Sequence, residues 1–458
     1  MINPDELQKA LKLSESGMFD EAAKLYNILL EKDADNYFVL ASYGLSEFEN
    51  KNYNKAIELL EKAARFSEDE KIYCHLVKAL IQTGQLLKAE QICVEFLKKH
   101  QKAGSLWFEL GFLKELIYSD DRQALQCYQV VLNLGIKSAH YNMAVSYQKL
   151  GDYKNAEENY KKMLEYNPGD IDTETSLGMC YLAQRKFKEG YELFVKRENN
   201  KNIPNLWLGG EVNKDLQIYC DQGFGDHIQF IRYIPFLKGN IKIAAPPALK
   251  ELFEKNYPNV KFITYDEIDP NIQTIRITDL AYALGIDFNN IPFKEGYLNS
   301  DKANIHSTKP KVGLCWEAGS AGIRTMINRT INIKLLEPFL NLDNIQIYSF
   351  QVRDTLKGNE RYPQMINLSC GFKNFEDTAR AMKAMDLMIT VDTSVAHLAG
   401  ALGVKTFLML PYASDWRWFN NTKTTEWYNS VEIFKQNDPI SWEKPIGDIL
   451  CRLKEYSF

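Results

Sequence analysis

Leu216-Gln217-Ile218-Tyr219-Cys220-Asp221-Gln222-Gly223-Phe224-Gly225-Asp226-His227 decides how the second half of this chain folds. Leu216 to Cys220 reads as a short buried strand, and Ile228, Phe230, Ile231, Ile234 and Leu237 recur at helical spacing beyond it. Between them Gln222, Gly223, Gly225 and Asp226 form a polar, glycine-containing turn, the mark of an active-site loop that passes from strand to helix. Asp226 then falls near the helix start, at the carboxyl edge of a sheet, where open α/β folds place their ligands. The same position suits a helix N-cap, which Asp fills well, and the two roles are compatible.

Outward from this loop, short β-rich runs alternate with helical stretches from about Leu206 onward, the pattern of a parallel sheet. The expected strands of a first lobe are Leu216 to Cys220, Ile241 to Ala245, Val260 to Thr264 and Ile272 to Ile277, with helices beginning near His227, Pro247 and Asp279. A polar stretch, Asn299 to Lys311, separates them from a second set: Val312 to Trp316, Ile345 to Phe350, Met365 to Leu368, Leu387 to Val391 and Thr406 to Leu410. Helices are expected near Ile333 to Leu342, Phe375 to Met385 and Ser394 to Leu402. Two Rossmann-like lobes, residues 204–305 and 306–458, would leave a ligand cleft between them.

In the second lobe Val391-Asp392-Thr393-Ser394-Val395-Ala396-His397 repeats the logic of the first loop. Backbone N–H groups of Thr393 to Val395, the hydroxyls of Thr393 and Ser394 and the positive end of the helix dipole suit a diphosphate. Asp392 would accept ligand hydroxyls or hold the turn. His397, one turn into the helix, is placed to orient or protonate a phosphate oxygen, or to serve as a satisfied packing residue. Gly319 to Gly322 follow the lobe's first strand. Arg324 and Arg329 beyond them would clamp phosphate or stand as ordinary surface charges.

The first half, residues 1–203, is a repeat array. Ala22 and Ala56 lie 34 residues apart, and the phase continues with small slips through Ala89, Ala124, Ala156 and Gly190. A turn signal precedes each of five of them: Gly17-Met18-Phe19, Lys51-Asn52-Tyr53, Gly84-Gln85-Leu86, Gly151-Asp152-Tyr153 and Arg185-Lys186-Phe187. The unit with Tyr141, Ala144, Tyr147, Gly151, Tyr153, Ala156, Tyr160 and Pro168 closely resembles a tetratricopeptide repeat in period and in residue offsets. Six helix pairs are expected between about Asn3 and Ile203, the fourth irregular near Tyr118 to Arg122. Such units bury their apolar faces only against neighbours, which makes an α-solenoid with a concave face. That face usually holds peptide, and Asn142 is either a hydrogen-bond partner for a peptide backbone or an exposed polar residue.

Bulk properties narrow the classes. A chain of 458 residues is too long for one ordinary core. Its net charge of −5 argues against general polyanion binding, so no nucleic acid is expected. Met1 to Glu6 lacks the basic start and apolar core of a secretory signal, and no apolar run is long enough to span a bilayer, which points to the cytoplasm. The eight cysteines are scattered without a CxxC pair and are expected to be reduced core residues. The six histidines include no HExxH, and the DxD-spaced strings Asp33-Ala34-Asp35 and Asp170-Ile171-Asp172 fall at repeat boundaries. No metal site is expected.

The Gly-Phe-Gly-Asp loop, the segment from Trp316 to Asn328-Arg329-Thr330-Ile331, Asp392 to His397, and Pro411-Tyr412-Ala413-Ser414-Asp415-Trp416-Arg417-Trp418 occur in order. Together they resemble the heptosyltransferase-like glycosyltransferases of GT-B fold. Preceded by Gly190-Tyr191-Glu192 and Arg197, they look like the bacterial branch in which tetratricopeptide repeats are fused to such a half, flagellin glycosyltransferases included. One departure is Gly322-Ile323-Arg324-Thr325-Met326-Ile327, where many relatives carry a His and an Asn-Asp pair.

The resemblance implies sugar transfer from a nucleotide-sugar to an acceptor hydroxyl, with no cofactor beyond that co-substrate. Asp226 would be the general base. Arg329, the helix start at Thr393 to Val395 and Arg324 would stabilise the leaving diphosphate. Trp416, Arg417 and Trp418 would cap the cleft, stack on base or sugar, or pack lobe against lobe. The solenoid would recruit a polypeptide acceptor. Two alternatives stay open: a saccharide or lipid-linked acceptor, and a non-catalytic scaffold with a degenerate α/β half. Solenoid faces also pair with themselves, so a homo-oligomer is compatible.

Overall fold

A computed structural model describes residues 3–197, 202–212, 214–319, 329–352, 362–419 and 423–456. Twelve helices come first: α1 Pro4–Glu15, α2 Phe19–Lys32, α3 Tyr37–Glu49, α4 Tyr53–Ala64, α5 Glu70–Gln82, α6 Leu86–Lys99, α7 Gly104–Tyr118, α8 Asp121–Asn133, α9 Ala139–Lys149, α10 Tyr153–Tyr166, α11 Ile171–Ala183 and α12 Phe187–Phe194. They are the six expected pairs.

The turn inside each pair carries one left-handed residue: Gly17, Lys51, Gly84, Ser119, Gly151 and Arg185, with φ between 51° and 76°. Three are glycines, for which this backbone is free of steric cost. Ser119 ends α7 in the irregular fourth unit, and Asp120 caps α8 by accepting the Gln123 N–H at 3.0 Å. The small residues that set the repeat phase, Ala22, Ala56, Ala89, Ala124 and Ala156, are wholly buried where paired helices meet. Gly190 extends this to the sixth pair, since a Cβ there would lie 2.8 Å from Leu182 Cγ.

The chain divides into two compact units. One holds Met1–Tyr147 with Lys154–Tyr166; the other holds Gln148–Tyr153 with Asn167–Phe458. The second unit therefore contains α11 and α12 together with the α/β half. Phe187, Tyr191 and Phe194 of α12 join one core with Trp416, Phe419 and Trp427. Phe187 stacks on Trp427 at 6.4 Å, and Tyr191 and Phe194 meet Trp416 edge-on at 6.4 and 6.2 Å. Each such buried aromatic is worth about 1.5–3 kcal/mol, so the last repeat is built into the α/β core.

Two all-parallel sheets follow. The first has β1 Asp215–Tyr219, β2 Asn240–Ala244, β3 Lys261–Ile263 and β4 Gln273–Arg276, in the order β3-β2-β1-β4. The second has β5 Lys311–Cys315, β6 Gln346–Ser349, β7 Met365–Asn367, β8 Leu387–Val391, β9 Thr406–Leu410 and β10 Val431–Lys435, in the order β10-β9-β8-β5-β6-β7. That is the doubly wound Rossmann order, and the first sheet is its four-stranded part. The architecture is thus a tetratricopeptide-type solenoid followed by a two-lobe α/β region.

All nine expected strands are present, and β10 is an addition. Its Val431-Glu432-Ile433-Phe434-Lys435 mixes three buried apolar positions with half-buried Glu432 and Lys435, as an edge strand does. The helix after β1 starts earlier than His227, running Phe224–Phe230, and turns into a 3-10 helix over Ile231–Phe236. Pro235 lacks the N–H a longer α-helix needs there. Six cysteines are buried, while Cys370 and Cys451 are exposed. Among the described residues no helix is long and apolar enough to cross a membrane.

Candidate functional site

Four strand ends deliver the site. In the first sheet the order reverses at β1, and in the second at β5 and β8; ligand crevices in such sheets open at these switch points. The Asp221–Gly223 loop leaves β1, Trp316 to Gly319 leave β5, Asp392-Thr393 leave β8, and the segment with Asp415 and Arg417 leaves β9. A cavity of about 700 Å³ opens among them. Gln222, Gly223, Gly225, Asp226, Gly319, Arg329, Asp392, Thr393, Ser394, His397, Asp415 and Arg417 line it.

Gly225 is what lets the two lobes meet. A Cβ on it would stand 2.9 Å from His397 Cδ2 and 3.6 Å from Ser394 Cα, so the start of helix Phe224–Phe230 lies directly on helix Ser394–Ala401. Asp226 is the third residue of its helix, and its Oδ2 accepts the Gly223 N–H at 3.2 Å. The capping role and the cavity position therefore coexist. Its Oδ1 pairs with Arg417 Nη2. Gln222 holds φ at 68°, uncommon for a residue with a side chain. That turn brings its Oε1 within 3.2 Å of Arg417 Nη2.

The loop is anchored from beneath by a buried ion network. In the β1–β4 register Tyr219 lies beside Arg276, so the Arg276 side chain reaches Asp221 two residues on, Nη1 to Oδ2 at 2.7 Å. Arg197 donates to Asp279 Oδ1 at 2.6 Å and to Thr278 Oγ1 at 2.9 Å, and its Nη2 stands 3.6 Å from Asp221. All four charged residues are at most 9% exposed. Two cations and two carboxylates balance, as burial of charge requires.

On the other lobe Arg329 donates to Asp392 Oδ2 at 3.3 Å. Burial raises the Asp392 carboxyl above its usual range, and Arg329 offsets part of the rise. Thr393 caps its helix by accepting the Val395 N–H at 3.2 Å, so that N–H, expected to face a diphosphate, is held by the cap. Burial, with the Arg417 charge adding to it, pushes His397 down to about 3, which leaves a neutral imidazole at physiological pH. Its Nδ1 is 3.0 Å from Tyr428 Oη, and its ring stacks on Trp418 at 5.1 Å. His397 is thus both a packing residue and part of the lining. The neutral ring keeps one N–H, a hydrogen-bond donor for its neighbours. Asp415 stays below the ordinary carboxylate range: burial pushes upward, and the Arg417 guanidinium and N–H outweigh it.

Trp416 takes the packing alternative among those the sequence left open. It is 4% exposed, packed on Tyr191, Phe194 and Phe230, and it stays out of the cavity wall. Trp418 is fully buried behind His397. Arg324 and the segment Gly322 to Ile327 lie outside the described residues. Asn142, half-buried on α9, donates its Nδ2 to Tyr128 Oη at 3.4 Å within the solenoid. Asp170 caps α11, accepting the Thr173 N–H at 3.1 Å, and Asp33 ends α2. Sequence reasoning alone misses Asp415, Tyr428 and the Arg197, Arg276 and Asp279 anchors. Asp415 stands in the Asp-Trp-Arg-Trp string and Arg197 follows Gly190-Tyr191-Glu192, signals that could have found them, while Tyr428, Arg276 and Asp279 carry no local motif.

The chain is similar to Protein FlbA of Caulobacter vibrioides, 24% identical over 441 residues, covering 84% of this chain and 72% of that protein. Among solved structures it is similar to YrrB, described as a TPR protein with an unusual peptide-binding site, at 20% identity and a TM-score of 0.32, over 37% of this chain and 88% of that one. A thermophilic TPR protein of Thermus thermophilus matches at 19% identity and a TM-score of 0.33, over 39% and 98%. PilF of Pseudomonas aeruginosa matches at 17% and 0.36, over 42% and 86%. Tetratricopeptide-repeat models match residues 7–70 and 138–170, so the chain carries tetratricopeptide repeats, modules that imply protein–protein interaction.

Proposed function

We propose that the protein is a glycosyltransferase that moves a sugar from a nucleotide-sugar to an acceptor hydroxyl on a polypeptide recruited by the repeats. One observation carries this reading. The cavity sets Asp226 of the first lobe opposite Arg329, Arg417 and the Thr393-Ser394 helix start of the second. A carboxylate that shares one cavity with two guanidinium groups and two hydroxyls matches what the transfer needs. The acceptor oxygen attacks the anomeric carbon and gives its proton to Asp226. The bond from that carbon to the diphosphate oxygen breaks, and the charge that develops falls on the guanidinium groups and hydroxyls. Asp392, held by Arg329, accepts sugar or ribose hydroxyls, and neutral His397 orients the helix start.

The test is a thermal-shift panel with UDP, GDP, ADP, CMP and their sugar conjugates, followed by transfer assays of Asp226→Ala. A ligand at about a hundred times its dissociation constant adds roughly 2.7 kcal/mol. A selective shift and loss of transfer in the variant are expected; transfer unchanged by Asp226→Ala refutes the base assignment. A second reading, the scaffold, draws on a specific observation: both Asp226 oxygens are already engaged, one by Arg417 and one by the Gly223 N–H. A well-folded protein that shifts with no nucleotide would favour it.

A further inference from the structure

We infer that Arg417 holds Asp226 in an ion pair until a diphosphate-bearing ligand takes the guanidinium, so that the nucleotide-sugar binds before the acceptor. This rests on the transferase reading above. Arg417 is 9% exposed and is claimed by an anion from each lobe. Its Nη2 pairs with Asp226 Oδ1 on the first lobe, and its Nη1 donates to Asp415 Oδ1 on the second at 2.8 Å.

The backbone at this point is fixed while the guanidinium has a choice of partners. The Arg417 N–H also donates to Asp415 at 3.0 Å, and its carbonyl accepts from Trp427 Nε1. The guanidinium lies 4.6 Å over the Trp416 ring, a flat platform on which a planar cation can slide with little loss of contact. Among the described residues Arg417 Nε is buried and has no partner, so the fork has unused donor capacity. The wall it faces also carries Arg329, Thr393 and Ser394, the groups suited to phosphate oxygens.

A diphosphate seated there brings at least two negative charges and paired oxygens, which a guanidinium binds in bidentate fashion. It competes directly with the single Asp226 oxygen. Once Arg417 turns to phosphate, Asp226 keeps its Gly223 N–H contact and therefore its direction, while Oδ1 becomes free to accept the acceptor hydroxyl's proton. An acceptor arriving first meets an occupied carboxylate. The ion pair that blocks the base in the empty site and the cation that grips the leaving group are the same side chain.

The experiment is a double-mutant cycle read by calorimetric binding of inorganic pyrophosphate, UDP, GDP, ADP and CDP to the full chain. Asp226→Asn releases Arg417 without changing shape, and diphosphate affinity should rise roughly tenfold, while Arg417→Gln should lower it by a similar factor. With Arg417→Gln in place, Asp226→Asn should bring little gain. An equal gain in both backgrounds, or none in either, overturns the inference while leaving nucleotide binding intact. Binding of no probe by the wild type or by Asp226→Asn overturns the transferase reading and this inference with it. Arg417→Lys, which keeps the charge without the fork, replaces the glutamine variant if that one fails to fold, and it should also weaken binding.

Discussion

Gly225→Ala isolates the geometry on which the site depends. Gly225 is helical, so the new methyl alone favours the helix by about 0.8–1 kcal/mol. Against this, the Cβ would stand 2.9 Å from His397 Cδ2. Carbon atoms rest at about 3.5–4.0 Å, so one partner must yield by roughly 0.6–1.1 Å. The imidazole is poorly placed to yield, since it is stacked on fully buried Trp418 and bonded to fully buried Tyr428. The start of helix Phe224–Phe230 must therefore move, carrying Asp226 with it. Overpacking of this kind costs about 1–3 kcal/mol, which leaves a net loss of roughly 0–2 kcal/mol. A shift of about 1 Å at a reacting group lowers turnover roughly a hundredfold. On the proposed transferase reading, the signature is thus a nearly normal fold with a large loss of diphosphate binding and transfer. Denaturant titration and calorimetry measure the two quantities, and His397→Ala in the same chain should restore much of the loss by making room. A Gly225→Ala protein that is about 1 kcal/mol more stable and binds diphosphate like the wild type would refute the close approach.

Three further outcomes follow from the same structure. Lys51 is exposed at φ 62° in the second repeat turn, so Lys51→Gly should relieve about 1 kcal/mol of backbone strain and raise the melting temperature of the repeat unit. Asp221→Asn leaves Arg276 and Arg197 buried with one carboxylate fewer, and should cost about 3–5 kcal/mol in chemical denaturation; an effect below about 1 kcal/mol would show that the network is not charge-balanced in solution. Burial holds folded His397 near 3, below its unfolded value of about 6.5, so the unfolded chain binds the extra proton between those values. Stability should then fall as pH drops through that window, by at most about 1.4 kcal/mol per pH unit from this residue, and His397→Gln should flatten the slope.

Much of the fold is legible in the sequence because it rests on local periodicity. The repeat phase is written in Ala22, Ala56, Ala89, Ala124 and Ala156, since only a small side chain fits where paired helices meet, and all five are fully buried. Strands buried on both faces announce themselves as apolar runs, as Leu387–Val391 does, whereas edge strand β10 is interrupted by half-buried Glu432 and Lys435 and gives a weaker signal. The site is legible where a strand end and a glycine turn coincide. Trp416 is not, because an aromatic in a cleft motif and an aromatic in a core look alike until Tyr191, Phe194 and Phe230 are seen around it. The pairing of Arg417 with Asp226 joins residues far apart in the chain, and no period or spacing encodes such a contact.

The charge distribution ties these observations to one another. The carboxylates facing the cavity, Asp226, Asp392 and Asp415, outnumber the described guanidinium groups, Arg329 and Arg417, yet each cation already serves a carboxylate at 3.3 Å or less. A site meant only to hold two lobes together would gain more from apolar packing, because a desolvated ion pair roughly offsets its own burial. Charged groups kept at the bottom of an open cavity instead leave the cations able to exchange partners at small net change in energy. The strained Gln222 turn, the glycine that admits His397 and the balanced anchor beneath Asp221 all fix the loop so that this exchange is the motion left to it. An anionic ligand is what such a site can answer, and the diphosphate probes test that directly.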